Sequence, residues 1–186
     1  MASLSAQAEV TLLGLYPNSC QGDANLVNLF KDLGVSTEFV SNGVVIRKKG
    51  RPIKKFFHNF IYEPDLAQTF VAACCFQHVP FIFSGLQSLR IKETDRIAAL
   101  RREMKKLGFV LRETDSEMLE WDGECCFVEE NAVMDTYDDH RMAMSLALAA
   151  IPFKSVTMND PQVVSKSYPN FWEDLRKAGF RIEEIG

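Results

Sequence analysis

The sequence lacks the features that would direct a chain into or across a membrane. Its first residues include neither the basic segment nor the apolar core of a signal peptide. No apolar run approaches the roughly 20 residues that a membrane-spanning helix needs. The formal net charge is −4, so the chain also lacks the overall positive charge that holds nucleic acid or an anionic membrane. We therefore expect a cytoplasmic protein that binds neither membrane nor nucleic acid.

The cysteines are few and poorly spaced for a structural role. There are five, at Cys20, Cys74-Cys75 and Cys125-Cys126. None of these spacings is typical of a zinc site, and an odd number in adjacent pairs is a poor disulfide framework. The pattern predicts reduced thiols and no zinc site.

Internal repetition is the strongest organisational signal in the sequence. Three helical patterns end in glycine, at Gly34, Gly108 and Gly179, each with a basic residue in the turn before it. Glycine suits the left-handed position that ends many helices, and a basic side chain there favours the helix dipole. A short strand is predicted after each glycine, over residues 35–40, 109–114 and 180–185.

The repeated unit is predicted to run strand, helix, strand, helix, strand, strand. Its complete central copy spans residues 56–62, 66–76, 80–86, 95–107, 109–114 and 118–122. The first copy begins only at the strand Glu9 to Leu15, and the third lacks its last strand. We expect a mixed α and β lobe with a pseudo-three-fold βαβαββ repeat and a truncated first unit. Residues 1–8 would be a start segment with part of a helix, and residues 9–186 the lobe, as a piece of a longer chain.

The first candidate site lies before an amphipathic helix that starts near residue 95. Thr94 or Asp95 can cap this helix, which leaves Lys92, Glu93 and Arg96 clustered at its amino end. Free N–H groups and the helix dipole favour anions there, and the basic side chains add full charges. Taken alone, the cluster is more typical of a capped surface helix with solvated charges than of a binding site.

A second candidate site lies at residues 136–144. The residues after Arg141 are almost all apolar, which predicts a buried helix. Charged His140 and Arg141 at its start would be costly unless they meet a ligand or the neighbouring Asp138 and Asp139. An internal pairing between aspartate and arginine therefore remains an alternative to ligand binding.

A third candidate is Lys166, which lies just before another helix with a proline in its first turn. A single lysine at such a place carries little information. All three units, however, bring polar residues to helix starts. A three-fold arrangement would direct several helix amino ends toward one face, where anions would bind.

Taken together, these segments resemble the EPSP synthase family. The stretch Lys92-Glu93-Thr94-Asp95-Arg96 and the stretch Asp139 to Met144 resemble its two signature regions. The segment 166–169 is similar to the family's Lys-Thr-Phe-Pro element, and 63–65 to its Pro-Asp element. Ser88 stands where some members have asparagine.

The resemblance implies transfer of the enolpyruvyl group of phosphoenolpyruvate to the 5-hydroxyl of shikimate 3-phosphate, with release of phosphate and without a metal. It implies that Asp65 is the general base and that Glu93 exchanges the proton at the methylene carbon of phosphoenolpyruvate. The implied substrate-binding residues are Lys92 for shikimate 3-phosphate and Arg96, His140, Arg141 and Lys166 for phosphoenolpyruvate. Family members have two such lobes, so the missing amino-terminal lobe is an implied partner.

Three alternatives stay open at this point. The related transferase that acts on UDP-N-acetylglucosamine shares the fold and phosphoenolpyruvate, although the stretch from Lys92 to Arg96 favours the shikimate enzyme. The basic stretch 47–55 could bind nucleic acid, but Gly50 and Pro52 predict a turn and no aromatic platform is interleaved. As given, the chain could also be an inert lobe that holds half of an active site.

Overall fold

The chain folds into three successive units, and the computed structural model describes residues 1–5, 8–17 and 22–185. Cys20 lies outside the described residues. The first unit contains the strands β1 (Glu9–Leu13), β2 (Val35–Val40) and β3 (Gly43–Lys48) and the helix α1 (Leu26–Asp32). Its antiparallel sheet has the order β1-β3-β2. A Cβ atom at Gly43 would lie 2.1 Å from the Leu12 carbonyl oxygen, so glycine allows the close approach of β1 and β3.

The central unit has all six predicted elements in the predicted order. They are β4 (Phe56–Asn59), α2 (Ala67–Phe76), β5 (Phe81–Ser84), α3 (Arg96–Lys106), β6 (Arg112–Thr114) and β7 (Met118–Trp121). The sheet order is β4-β5-β7-β6, in which β4 and β5 are parallel and the other pairs antiparallel. Strand β6 begins at Arg112 and not at Phe109 as predicted, because Phe109 forms only an isolated bridge with Cys125.

The third unit confirms the predicted helix starts but not all of the predicted ends. Its elements are β8 (Val133–Met134), α4 (His140–Ala147), α5 (Ala150–Phe153), β9 (Thr157–Met158) and α6 (Phe171–Lys177). The helix predicted to reach Ala150 ends at Ala147, and a short helix follows. Pro152 explains the break, because it has no N–H for the Leu148 carbonyl and its ring would clash there.

The strand predicted over residues 180–185 was wrong. Those residues form no strand in the structure. In the other two units the corresponding strand pairs with the strand that follows it, β2 with β3 and β6 with β7. The third unit supplies no following strand, so the segment has no neighbour with which to form a ladder.

The core is centred on α2, which is apolar on nearly every side. Phe70, Val71 and Cys74 on this helix are fully buried. A helix without a polar face must be surrounded, and α2 packs between α3, α4 and the central sheet. This packing fixes the amino ends of α3 and α4 relative to each other. Across the described ranges, no helix combines the length and apolarity needed to cross a bilayer.

Candidate active site

The candidate residues follow the carboxyl ends of two pairs of parallel strands. Asp65 follows β4, and the segment from Lys92 to Arg96 follows β5. In the same way, Arg141 follows β8 and Lys166 follows β9. Because parallel strands end at the same edge of a sheet, each pair brings its loops to one place. The two places meet where α3 and α4 begin.

Aspartate caps fix both helix starts. The Asp95 carboxylate accepts a hydrogen bond from the Ala98 N–H, at 3.0 Å. The Asp139 carboxylate accepts from the N–H groups of Arg141 and Met142, at 2.8 and 3.4 Å. Such caps satisfy N–H groups that have no partner within the helix. They also aim the side chains of the first turn into the site.

Arg96 is the buried centre of the site. Its side chain is 1% exposed, and its guanidinium contacts three carboxylates. Nε donates to Asp139 Oδ2 at 2.6 Å, Nη1 donates to Asp65 Oδ1 at 2.9 Å, and Nη2 donates to Glu93 Oε2 at 2.7 Å. A buried charge needs partners of this kind, since desolvation is otherwise costly. The three partners come from two different units of the fold, so Arg96 joins those units.

The pKa of Arg96 reflects this environment. Burial alone would lower the pKa of the guanidinium. The hydrogen bond to Asp139 and the charges of Asp139, Glu93 and Asp65 outweigh burial and raise the pKa above its usual value. Arg96 therefore remains a fixed positive charge. The sequence predicted that these helix starts meet at one face. Arg96 and Arg141 both contact Asp65, with Arg96 buried beneath its carboxylate partners.

Asp65 is surrounded by positive charge. Besides Arg96, its carboxylate lies 3.3 Å from Lys92 Nζ and 3.3 Å from Arg141 Nη2. Burial would raise the pKa of Asp65, but the charge of Arg141 and the contact with Lys92 outweigh it and lower the pKa. Asp65 is half-buried and holds these cations in the way that a bound anion would.

The start of α4 supplies a cation and an imidazole. Arg141 is held from a second side, because its Nη1 donates to the backbone carbonyl of Asp65 at 3.1 Å. His140 is buried, and among the described residues its Nδ1 has no hydrogen-bond partner. A buried polar atom without a partner is unusual in a native structure and is frequently explained by a function.

Lys166 contacts the loop that precedes α4, at the residue before the Asp139 cap. Its Nζ lies 2.6 Å from Asp138 Oδ1 and donates to the Asp138 carbonyl oxygen at 2.9 Å. Lys166 is exposed, so its charge is accessible. The alternative that the Arg141 side chain pairs with Asp138 or Asp139 was wrong, because Arg141 pairs with Asp65. Asp139 pairs with Arg96 of the central unit, whereas Asp138 pairs with Lys166.

Sequence reasoning missed Gln68, which is fully buried beside Arg96. With its amide oriented to satisfy its hydrogen bonds, its oxygen accepts from Arg96 Nε at 3.0 Å and its nitrogen donates to the Asp65 carbonyl at 3.3 Å. A polar residue within the apolar run of α2 was the available signal. Sequence reasoning also missed Glu103 and Tyr137, which contact each other at the loop that precedes α4.

The basic stretch 47–55 is partly occupied by internal contacts. Arg47 donates to Glu9 and Glu38, at 2.7 and 2.9 Å. Lys48 donates to two backbone carbonyls and to the Gln77 side chain. Neither side chain is free to contact a phosphate backbone in this arrangement.

Metal-binding side chains do not converge in the described part of the chain. There, no three histidine, cysteine, aspartate or glutamate side chains are grouped so that they could hold an ion. Cys74 and Cys75 are buried free thiols, and burial raises the pKa of both above the usual range. They are therefore poor nucleophiles and poor metal ligands.

Comparison with known proteins gives a consistent match. The family model described as EPSP synthase (3-phosphoshikimate 1-carboxyvinyltransferase) matches residues 1–175. The chain is 50% identical to the 3-phosphoshikimate 1-carboxyvinyltransferase of Bacteroides fragilis over 183 residues, which are 98% of this chain and 45% of the relative. It is 31% identical to that of Methanosarcina acetivorans over 185 residues, 99% of this chain and 42% of the relative. The chain thus spans less than half the length of these relatives.

A solved structure shares the fold. The 2.37 Å structure of EPSP synthase from Acinetobacter baumannii matches with a TM-score of 0.71 and 22% identity. The match covers 98% of this chain and 44% of that chain. This likeness confirms the predicted mixed α and β lobe of an enolpyruvyl transferase.

Proposed function

The chain belongs to the EPSP synthase family, and from this premise we propose that it supplies one side of an active site for enolpyruvyl transfer. The acceptor is the 5-hydroxyl of shikimate 3-phosphate, the donor is phosphoenolpyruvate, and phosphate is released. One observation carries the proposal. Two carboxylates, Asp65 and Glu93, contact the buried Arg96, and two partly exposed cations, Lys92 and Arg141, contact Asp65.

The two carboxylates fit the two proton movements of this reaction. Glu93 enters the addition step as the carboxylic acid. As the hydroxyl oxygen bonds to C2 of phosphoenolpyruvate, Asp65 takes the hydroxyl proton and Glu93 delivers its proton to C3. The C2–O bond to phosphate then breaks, Glu93 takes a proton back from C3, and the proton held by Asp65 leaves with the departing phosphate. Both residues contact Arg96, which fixes the spacing between base and acid.

The accessible cations fit the charges of the substrates. Arg141 and Lys166 would bind the phosphate and carboxylate of phosphoenolpyruvate, with His140 Nδ1 as a further polar contact. Lys92, which is exposed, would contact shikimate 3-phosphate. The main role of Arg96 would be to orient Asp65 and Glu93. It would contact a substrate only if its ion pairs with these carboxylates rearranged.

The ion pairs of the free chain also suggest how the base becomes active. With its pKa lowered by Arg141 and Lys92, Asp65 is a weak base. An anionic substrate that draws those cations away would raise the pKa of Asp65 toward its usual value. The base would then gain strength only when phosphoenolpyruvate is bound.

The rest of the site would come from a second lobe, which is the main partner that we propose. An open surface leaves ligands solvated, and catalysis of this kind needs closure around oriented substrates. We expect the chain alone to be inactive and the complete enzyme to act in the cytoplasm. No cofactor or metal enters the proposed chemistry.

An intact enzyme is needed for the test. It can be made by replacing the matching 45% of the Bacteroides fragilis relative with this chain. We call the product the hybrid enzyme. We expect the hybrid to release phosphate when both substrates are present, and Asp65→Asn to lower kcat by about 10²–10⁴-fold. UDP-N-acetylglucosamine in place of shikimate 3-phosphate should give no release.

Two results would contradict the proposal. One is a folded hybrid that turns over UDP-N-acetylglucosamine but not shikimate 3-phosphate. The other is sustained phosphate release by this chain alone, which would show that it holds more than half of an active site.

A further inference from the structure

The loop that carries the candidate residues of the third unit has a strained backbone. Tyr137 and Asp138 both have positive φ angles, 56° and 55°. Two successive non-glycine residues in this region are uncommon, and such residues persist only where the surrounding structure holds them. The loop leads directly to Asp139, whose carboxylate accepts a hydrogen bond from the Arg141 N–H at 2.8 Å, and contains Asp138, which binds Lys166. Its conformation therefore sets the positions of two site cations.

One buried carboxylate outside the proposed chemistry holds this loop. Glu103 lies on α3 with none of its side chain exposed. Its Oε1 accepts from the Tyr137 hydroxyl at 2.6 Å, and its Oε2 accepts from the Asp135 N–H at 3.1 Å. Lys106, one turn later, lies 2.8 Å from the same Oε2. Glu103 thus binds the loop at two points, one of them the first strained residue.

Lys106 fastens the entry of the loop. Its Nζ donates to the Val133 carbonyl at 2.8 Å and to Asp135 Oδ2 at 3.0 Å. Burial would lower the pKa of Lys106, but the hydrogen bonds to Glu103 and Asp135 outweigh it and raise the pKa. Burial and the hydrogen bond to Glu103 also raise the pKa of Tyr137, so its hydroxyl stays a donor at neutral pH.

We propose that Glu103 is a positioning residue, which holds the loop 135–138 so that Arg141 and Lys166 are placed to bind the donor anion. The inference rests on the proposed function, because it concerns the same site. Glu103 contacts neither Arg141 nor Lys166 and acts only through Tyr137, Asp135 and the backbone. A buried, fully paired carboxylate beside a strained loop is the arrangement that such a role requires.

The first variant is Tyr137→Phe in the hybrid enzyme. It removes the hydroxyl bonded to Glu103 and keeps the aromatic ring. We expect the KM for phosphoenolpyruvate to rise about tenfold, the size of one weakened charge-assisted hydrogen bond, with kcat within about twofold of the parent. Glu103→Gln should raise the same KM at least as much, because Gln cannot accept from every one of the three donors.

The control separates positioning from stability. Leu111→Ala removes a buried apolar side chain of the central unit that lies outside the loop 135–138. It should lower the melting temperature at least as much as Tyr137→Phe while leaving the KM for phosphoenolpyruvate unchanged. The double variant Tyr137→Phe with Glu103→Gln should raise KM by less than the product of the two single effects, because both changes act on the contact between Glu103 and Tyr137.

A binding measurement keeps the inference separate from the proposed function. Inorganic phosphate is titrated into this chain and followed through the backbone amide resonances of α4. Tyr137→Phe should weaken phosphate binding about tenfold, whether or not the hybrid is active. If the hybrid is inactive but this change in affinity is seen, the proposed function fails and the positioning role of Glu103 stands. If Tyr137→Phe lowers the melting temperature but changes neither phosphate affinity nor KM, Glu103 is merely structural and the inference is overturned. If Glu103→Gln does not fold, Tyr137→Phe decides the question.

Discussion

Replacing Asp65 with asparagine should tighten phosphate binding to this chain. The carboxylate now lies 3.3 Å from both Lys92 Nζ and Arg141 Nη2, so it competes with any anion for these cations. Asparagine has nearly the same shape but no charge. Arg96 keeps its contacts with Glu93 and Asp139, and the local fold should persist.

The size of the effect follows from two partly exposed ion pairs. The side chains of Lys92, Arg141 and Asp65 are 32%, 29% and 32% exposed, so solvent screens their interaction strongly. Pairs of this kind contribute about 0.5–1 kcal/mol each. Freeing both cations should therefore improve phosphate affinity by about 1–2 kcal/mol, or roughly 5–30-fold.

Isothermal titration calorimetry at low salt measures this change. The variant Asp122→Asn is the matched control, because Asp122 pairs with Arg112 on an exposed sheet edge away from the site. The gain in Asp65→Asn should shrink as salt is added, since exposed charges are screened. If Asp65→Asn binds phosphate no more tightly than the parent chain, Asp65 does not compete with anions and the reasoning is refuted.

Three further predictions concern the cations and acid stability. In the hybrid enzyme, Arg141→Ala should raise the KM for phosphoenolpyruvate at least tenfold and that for shikimate 3-phosphate less, as steady-state kinetics would show; equal effects would contradict the assignment. Arg96→Ala should cost about 3–5 kcal/mol in urea unfolding, because it leaves the Asp139 carboxylate buried without its cation; a loss below about 1 kcal/mol would contradict this. The folded-state pKa values of Asp65 and Asp135 lie below their unfolded values, so their stabilisation is present above about pH 4 and is lost as pH falls through the folded pKa. In thermal melts, the melting temperature should fall less steeply below pH 4 in Asp65→Asn than in the parent.

Local spacing made the helix starts predictable. Asp95 and Asp139 each precede an apolar periodic run, and each caps the helix that the run predicts. The unit order followed from the repeat for the same reason, since each element has its own pattern in the sequence. The family resemblance then identified the residues that these helix starts bring together.

Long-range pairing was not predictable from local pattern. Asp139 binds Arg96 from 43 positions away, and only the packing of α2 against α3 and α4 brings them together. The burial of Arg96 was missed for that reason. The strand expected at 180–185 failed for a related reason, because a strand exists only with a neighbour, and its residues alone do not reveal whether one is present.

The pairing of the site has a thermodynamic consequence. Lys92, Arg96 and Arg141 face the carboxylates of Asp65, Glu93 and Asp139, so the free site has nearly balanced charge. An anion that displaces Asp65 from Arg141 raises the proton affinity of Asp65 by some factor. By linkage, protonation of Asp65 must tighten anion binding by the same factor. The competition of Asp65 with anions and the proposed gain in its strength as a base are therefore one coupling free energy, which the change in phosphate affinity of Asp65→Asn estimates.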